Sequence, residues 1–243
     1  MNITVIILGI TLVILIYVLY IYLSPSYSPL TQSAALSTTV PPITSIQSPS
    51  SSRYAYGIWI FVNTWDANNY KTIFSRNNNL SLYLDKASPT LYLDVAMSDG
   101  SVQTVTITNN FFIQKWVHIV ISVDNTFFDC YLDGKLVVSQ KVFTASSTSN
   151  GVTTAALVPA TPGNTSVPIT LGASAAPFKV GAYFDAYITR FIRWTEPVNP
   201  QTVWDTYMKG NGNSWGIFPN LSAYNADISL LKNNVEFSKF HLF

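Results

Sequence analysis

Few side chains in this 243-residue chain could do acid–base or covalent chemistry, and their spacing argues against it. Only two glutamates occur, Glu196 and Glu236, forty positions apart. The best same-face carboxylate pair is Asp129 and Asp133, two pleat repeats apart, which sets their Cα atoms about 13 Å apart at ~3.3 Å per residue. Glycoside hydrolysis wants carboxyls about 5–5.5 Å apart for retention or about 6.5–9.5 Å for inversion. Asp133 also has a complete explanation as half of an Asp-Gly hairpin turn. His118 could serve as a general base only with partners from elsewhere in the fold, and no Gly-x-Ser-x-Gly elbow is present. His118 and His241 are too distant in sequence for a short His-x-x-x-His motif. The single cysteine, Cys130, alternates with Phe128 and Leu132 and reads as a small core residue. One cysteine also excludes an intrachain disulfide and a cysteine-based zinc site. The expectation is a protein that is not an enzyme.

Binding chemistry is better represented. Asp66, Asn68, Asn69 and Asp99 offer oxygen ligands in predicted loops, the only arrangement that suggests calcium, but they do not follow an EF-hand pattern. Asx residues in turns account for them equally well, and no metal or other cofactor is assigned. Trp65, Tyr70, Trp215 and Tyr224 lie outside or at the ends of the clearest strands. Exposed aromatics among neutral hydrogen-bonding groups would suit carbohydrate, and the same residues would equally pack loops or protein interfaces. Asn79, Asn164 and Asn220 head Asn-x-Ser/Thr sequons, which matter only in a glycosylating lumen.

The elements that would position these residues begin with an apolar segment. Residues 3–23 are uncharged and almost wholly apolar. As a helix they span about 31 Å, close to the ~30 Å hydrocarbon thickness of a bilayer. Only Met1 and Asn2 precede the run, so it lacks the basic n-region of a signal peptide. The expectation is a retained transmembrane helix. Residues 24–52 then turn to Ser, Thr and Pro without charge, reading as an extended tether.

From residue 53 to 210 the pattern is strand and turn. Segments 56–62, 80–85, 90–97 and 102–108 are short and rich in β-branched and aromatic residues, separated by Asn-, Pro- and Gly-containing turns. Val117, Ile119, Ile121 and Val123 alternate as one apolar face. Asp133-Gly134 then marks a two-residue hairpin. A low-complexity loop follows at 144–168. One short helix is signalled by Asn199 as N-cap, Pro200 at its first position and Gly210 beyond its end. Many strands, one helix and no strand–helix alternation predict an all-β, two-sheet antiparallel sandwich. Residues 211–243 form a C-terminal extension, a candidate docking segment.

The run Trp116-Val-His-Ile-Val-Ile-Ser-Val-Asp124, followed by Tyr131-Leu-Asp-Gly-Lys-Leu136, resembles the central signature of laminin G-like, concanavalin A-like jelly rolls. Ile-Thr-Leu-Gly ending at Gly172, the strand containing Asp185, and the Pro-x-x-Val-Trp-Asp-Thr-Tyr helix are similar to the family's closing elements, in the expected order. The resemblance implies structural roles for Trp116, His118, Tyr131, Asp133, Gly134, Gly172 and Asp185. The glucanases of that fold carry a Glu-x-Asp-x-Glu strand, which has no counterpart here.

Only 10% of the residues are charged and the net charge is +1, against about 25% charged in an ordinary soluble domain. No basic cluster exists to displace counterions from nucleic acid. Anchor, tether, sandwich and sparse charge together suggest a non-enzymatic membrane-anchored protein. Its partners would be the lipid bilayer, through residues 3–23, and other membrane or capsid proteins. Anchored laminin G-like proteins of this neutral, aromatic-rich kind resemble minor capsid proteins of giant DNA viruses. That resemblance implies a virion protein in the internal membrane, linked to the capsid shell. The alternative is a membrane-tethered lectin or adhesion module that binds carbohydrate.

Overall fold

In the computed structural model the backbone is described for residues 3–23, 27–149, 152–174, 177–212, 227–232 and 235–241, and side chains for most of residues 8–212. The elements, in chain order, are α1 (Ile3–Leu23), β1 (Ser28–Ala35), β2 (Arg53–Val62), β3 (Tyr70–Arg76), β4 (Leu80–Leu84), β5 (Leu91–Ala96), β6 (Val102–Thr108) and β7 (Trp116–Asp124). They continue with β8 (Phe127–Leu132), β9 (Lys135–Lys141), β10 (Ser147–Ser149), β11 (Val152–Thr154), β12 (Ile169–Leu171), β13 (Gly181–Ala182), β14 (Ala186–Trp194), α2 (Pro200–Met208), β15 (Asp227–Lys232) and β16 (Val235–His241).

Two six-stranded sheets face each other. One has the order β1-β14-β2-β7-β8-β9; the other runs β12-β3-β4-β5-β6, with the short β13 added in parallel beside β3. All other strand pairs are antiparallel. The period of two decides what faces inward. On β7, Val117, Ile119, Ile121 and Val123 enter the inter-sheet core, as their spacing predicts, opposite Leu80, Leu82, Leu84, Leu91, Leu93 and Val95 of the second sheet. The intervening residue Val120 points to the outer face, where it packs with Ala55, Tyr131, Ile192 and Trp194 against Val203 of α2. The helix forms as its caps dictate: Asn199 accepts from the Thr202 backbone N–H, and Pro200 occupies the first turn.

The tether predicted at 24–52 is corrected. Ser28–Ala35 pairs along β14 as an edge strand, Leu36 and Ile46 are buried in the core, and Ile43 bridges Ile169. Its neutral side chains carry no strong period because an edge strand buries only part of itself, while the backbone finds partners on β14. The folded domain therefore begins near residue 27 rather than 53. Four residues, 24–27, separate Leu23 from Ser28, which allows at most about 17 Å of extended chain.

α1 is a continuous 21-residue helix. Side chains are described only for its residues 8–18, and within the described residues no helix is long and apolar enough to cross a membrane.

Register gives the sandwich two poles. β1 starts opposite Arg193, β2 starts opposite Asp124, and β8 starts opposite Lys141. Chain arriving from α1 thus reaches the pole that carries Arg53, the 124–126 turn and the end of β14. The opposite pole carries the end of β2, the 109–115 connection and the Asp133-Gly134 turn.

Candidate functional site

The pole away from α1 holds an open groove of about 580 Å³. Three segments build it: the β6–β7 connection, the β8–β9 turn, and α2. The connection is pinned by buried Phe111, whose N–H donates to the Pro89 carbonyl, and by Gln114, whose N–H donates to that of Val62. Phe112 between them is left 54% exposed. On the other side stand Trp204, 41% exposed, and Tyr207. Gly134 seats the helix: its φ is +80°, and a Cβ there would lie 2.8 Å from the Trp204 ring. Asp133 also has a positive φ, the pairing that a type I′ hairpin turn requires.

Asp133 is fully engaged in structure. One carboxylate oxygen accepts the His118 backbone N–H at 2.9 Å and the other lies 3.3 Å from Lys115 Nζ. Lys115 Nζ also sits 5.0 Å from the centre of the Phe112 ring. With Lys135 in the same wall, two ammonium groups face one carboxylate. The groove offers two partly exposed rings, Phe112 with Lys115 Nζ over it and Trp204, a mild positive bias and hydrogen-bonding groups at Thr108 and Asn110.

His118 lies beneath this groove rather than in it. Its ring is buried against Trp59, at 4.9 Å, and Tyr207, at 6.1 Å, two rings that stack on each other at 5.5 Å. Burial pulls its pKa down to about 4, with Asp133 opposing and Arg190 adding to the shift. A neutral ring in an aromatic stack is a packing element. Cys130 is buried in the core, and burial, helped by Asp129, pushes its thiol up to about 12, where it is neither nucleophile nor ligand.

The other signature residues are structural in the same sense. Trp116 packs on Phe61, and Tyr131 is buried under α2. Gly172 has a φ of +73°, with Tyr183 where a Cβ would go. Asp185 ties β14 to the end of β2, accepting from Asn63 Nδ2 at 2.7 Å and Thr64 Oγ1 at 3.2 Å.

The aromatics singled out from sequence do not share a site. Trp65 donates to the Lys86 carbonyl, and Lys71 Nζ covers its ring at 4.0 Å. Tyr70 stands edge-on to Tyr83, and Lys179 Nζ lies 5.2, 5.3 and 5.6 Å from the rings of Tyr70, Tyr83 and Tyr92. That aromatic cluster is occupied by the chain's own lysine. Trp215 and Tyr224 lie outside the described residues. The calcium candidates are split between poles. Asp66 accepts from the Asn68 N–H and Asn69 Nδ2 near one end, and Asp99 accepts from Ser101 in the β5–β6 turn at the other. Among the described residues no three His, Cys, Asp or Glu side chains gather. The Asn79 sequon is closed: the side chain is 4% exposed, and its Nδ2 donates to the Tyr54 hydroxyl. Asn164 is exposed, and Asn220 is outside the described residues.

Sequence reasoning missed Phe112, Lys115, Trp204 and Tyr207 as a group, because two segments about ninety positions apart supply them. Phe112 follows a strand without continuing its alternation, and that is the one local hint.

Residues 37–204 match the family model described as the concanavalin A-like lectin/glucanases superfamily. The chain belongs to that superfamily. The match starts within the segment corrected above and ends inside α2. Among solved structures, the botulinum neurotoxin serotype D ligand-binding domain in complex with N-acetylneuraminic acid aligns with a TM-score of 0.51 and 13% identity, covering 75% of this chain and 43% of that one. The botulinum neurotoxin serotype G binding domain aligns at 0.47 and 14%, covering 76% and 39%. The chain thus spans less than half the length of these solved relatives, and the likeness is one of fold. A search of curated proteins gave no match.

Proposed function

We propose that this chain is a membrane-anchored, non-catalytic recognition module of the superfamily, and that the groove at the far pole binds carbohydrate. The observation that carries this reading is the pair of exposed rings, Phe112 and Trp204, flanking a groove with neutral polar groups and a mild positive bias. Sugar C–H faces stack on such rings while hydroxyls use the polar rim, and the two lysines favour acidic sugars. The serotype D domain, which shares this fold over 43% of its length, was solved in complex with N-acetylneuraminic acid. The anchor is supported by the length and uncharged composition of α1, which would set the groove facing away from the bilayer. Deleting residues 3–23 is expected to release the protein from membranes without detergent, and retention there would count against the anchor.

The test of the groove is glycan-array binding by the full chain in nanodiscs. Trp204→Ala and Phe112→Ala should each weaken the best sugar about tenfold, equivalent to about 1.4 kcal/mol. Near-UV circular dichroism checks that the fold persists. Binding unchanged in both variants, or no glycan bound at all, would end the lectin reading.

A second reading has its own support. The hairpin β15–β16 pairs, among the described residues, only with itself, and few charges would have to be desolvated if neighbours covered the surface. Those features suit a minor capsid protein that links an internal viral membrane to the capsid shell. Crosslinks from residues 227–241 to a shell protein in intact particles, with an empty groove, would favour it over the lectin.

A further inference from the structure

The side of the membrane on which the sandwich lies is not set by flanking charge. Residues 1–52 contain no Lys or Arg, so the positive-inside rule has nothing to count there. A buried feature of the sandwich carries the information instead. Asn79-Leu80-Ser81 is an Asn-x-Ser acceptor for N-linked glycan, and the fold closes it at the start of β4. The three residues are 4%, 0% and 1% exposed. Asn79 Nδ2, the atom that would carry the sugar, donates to the hydroxyl of buried Tyr54 at 2.8 Å. The Asn79 backbone is held as well, its N–H donating to the Arg76 carbonyl and its carbonyl accepting from the Ala96 N–H. The open cavity of about 280 Å³ beside Asn79 is far too small for a branched, solvated oligosaccharide, and Nδ2 would have to give up Tyr54 to point into it.

Glycan transfer acts on the unfolded chain as it enters the lumen. It joins Nδ2 to C1 of the sugar, breaks the bond from that carbon to the lipid diphosphate carrier, and releases one proton from the nitrogen. A chain modified at Asn79 must then carry the oligosaccharide into the wall of the sandwich or leave the start of β4 unpaired. The Ser81 hydroxyl is buried without a hydrogen-bond partner within the protein, which is a cost to the fold. Alanine there would fold at least as well and would abolish the acceptor. Nothing in the packing requires this sequon, and it is harmless where glycan transfer is absent. We infer that α1 crosses the membrane with its N-terminal end on the lumenal side, and that the sandwich folds on the opposite, non-glycosylating side. The inference rests on the anchor proposed above and on neither account of the far groove.

Translation of the full chain with microsomes tests it. An uncharged extension ahead of Met1 supplies one Asn-Ser-Thr acceptor clear of the membrane. The expected result is one endoglycosidase-sensitive glycan on that extension, none on Asn79, Asn164 or Asn220, and access of added protease to the sandwich in intact vesicles. Lysines inserted after Met1 should turn α1 over. The inverted wild-type chain should take glycan at Asn79 and at exposed Asn164, and its sandwich, released by detergent, should lose its protease-resistant core. Ser81→Ala removes only the Asn79 glycan and should restore that core, with Asn164 still modified. In the native orientation Ser81→Ala should change neither glycans nor core, which guards against a variant that merely misfolds. Glycans on a native-orientation sandwich, with the extension unmodified, overturn the inference. So does an inverted wild-type chain that keeps its resistant core, with or without a glycan at Asn79. If neither end is modified and alkaline carbonate extracts the chain, the anchor is wrong and the sidedness falls with it.

Discussion

Replacing Arg76 with alanine should cost the folded protein about 3–5 kcal/mol, since several buried carbonyls lose their donor at about 1–3 kcal/mol each. Arg76 is 1% exposed. Its Nε donates to the Val167 carbonyl at 3.2 Å and Nη1 to that of Pro49 at 2.6 Å. Nη2 donates to the carbonyls of Gly163 and Asn164 at 2.5 and 3.1 Å. The planar fork thus gathers two irregular segments, around residues 47–49 and 163–167, that lack a ladder of their own. Alanine would leave the Val167, Pro49 and Gly163 carbonyls without this donor, while that of Asn164 keeps the Val167 N–H, and would release both segments. Lysine keeps the charge but has one compact donor group in place of the fork, so Arg76→Lys should fall between. The measurement is the denaturant midpoint of the full chain in micelles, with limited proteolysis of residues 161–167 as the local readout. An Arg76→Ala protein within about 1 kcal/mol of wild type would show that the carbonyls find water at no cost.

The second large effect is expected at mildly acid pH. The His118 ring titrates at about 4 in the folded protein, against about 6.5 in an unfolded chain. Between those values the unfolded state binds more protons, so stability falls as the pH falls. The contribution of the neutral ring is complete above about pH 6.5 and is lost progressively down to about pH 4, roughly 3 kcal/mol in all. His118→Phe keeps an aromatic disc against Trp59 and Tyr207 and cannot titrate. Its stability curve should lack that slope, while the exposed carboxylates held below their usual range, Asp66 and Asp99, act in both proteins and cancel in the difference. Parallel curves for the two proteins between pH 6.5 and 4 would show that the ring is hydrated in the folded state.

The sheets were legible because alternation is a property of single strands. Leu80, Leu82 and Leu84 announce an inward face without reference to any partner, and Asp133-Gly134 announces the turn whose φ values it must adopt. Residues 28–35 gave no such signal. Their stability comes from hydrogen bonds to β14, and pairing of backbone with backbone leaves little trace in side-chain type. The aromatics were visible but not their company. Whether Trp65 is a platform for sugar or a seat for Lys71 depends on a loop that returns Lys86 beside it, and Lys179 reaches the Tyr70 cluster from more than a hundred positions away. The groove failed for the same reason in reverse. Trp204 read only as part of a short helix, and the tight seat at Gly134 brings that helix beside the groove.

Because β1 starts at one pole and runs toward the other along β14, a chain anchored through α1 and gripped at its far groove would carry tension along that strand. Hydrogen bonds between antiparallel strands lie perpendicular to the strand axis. A pull along the axis loads them in shear and all at once, whereas a pull across it would open them one after another like a zipper. The direction in which β1 enters the sheet therefore makes this edge strand a mechanical clamp, able to hold an attached partner under force that would peel a strand of the opposite orientation.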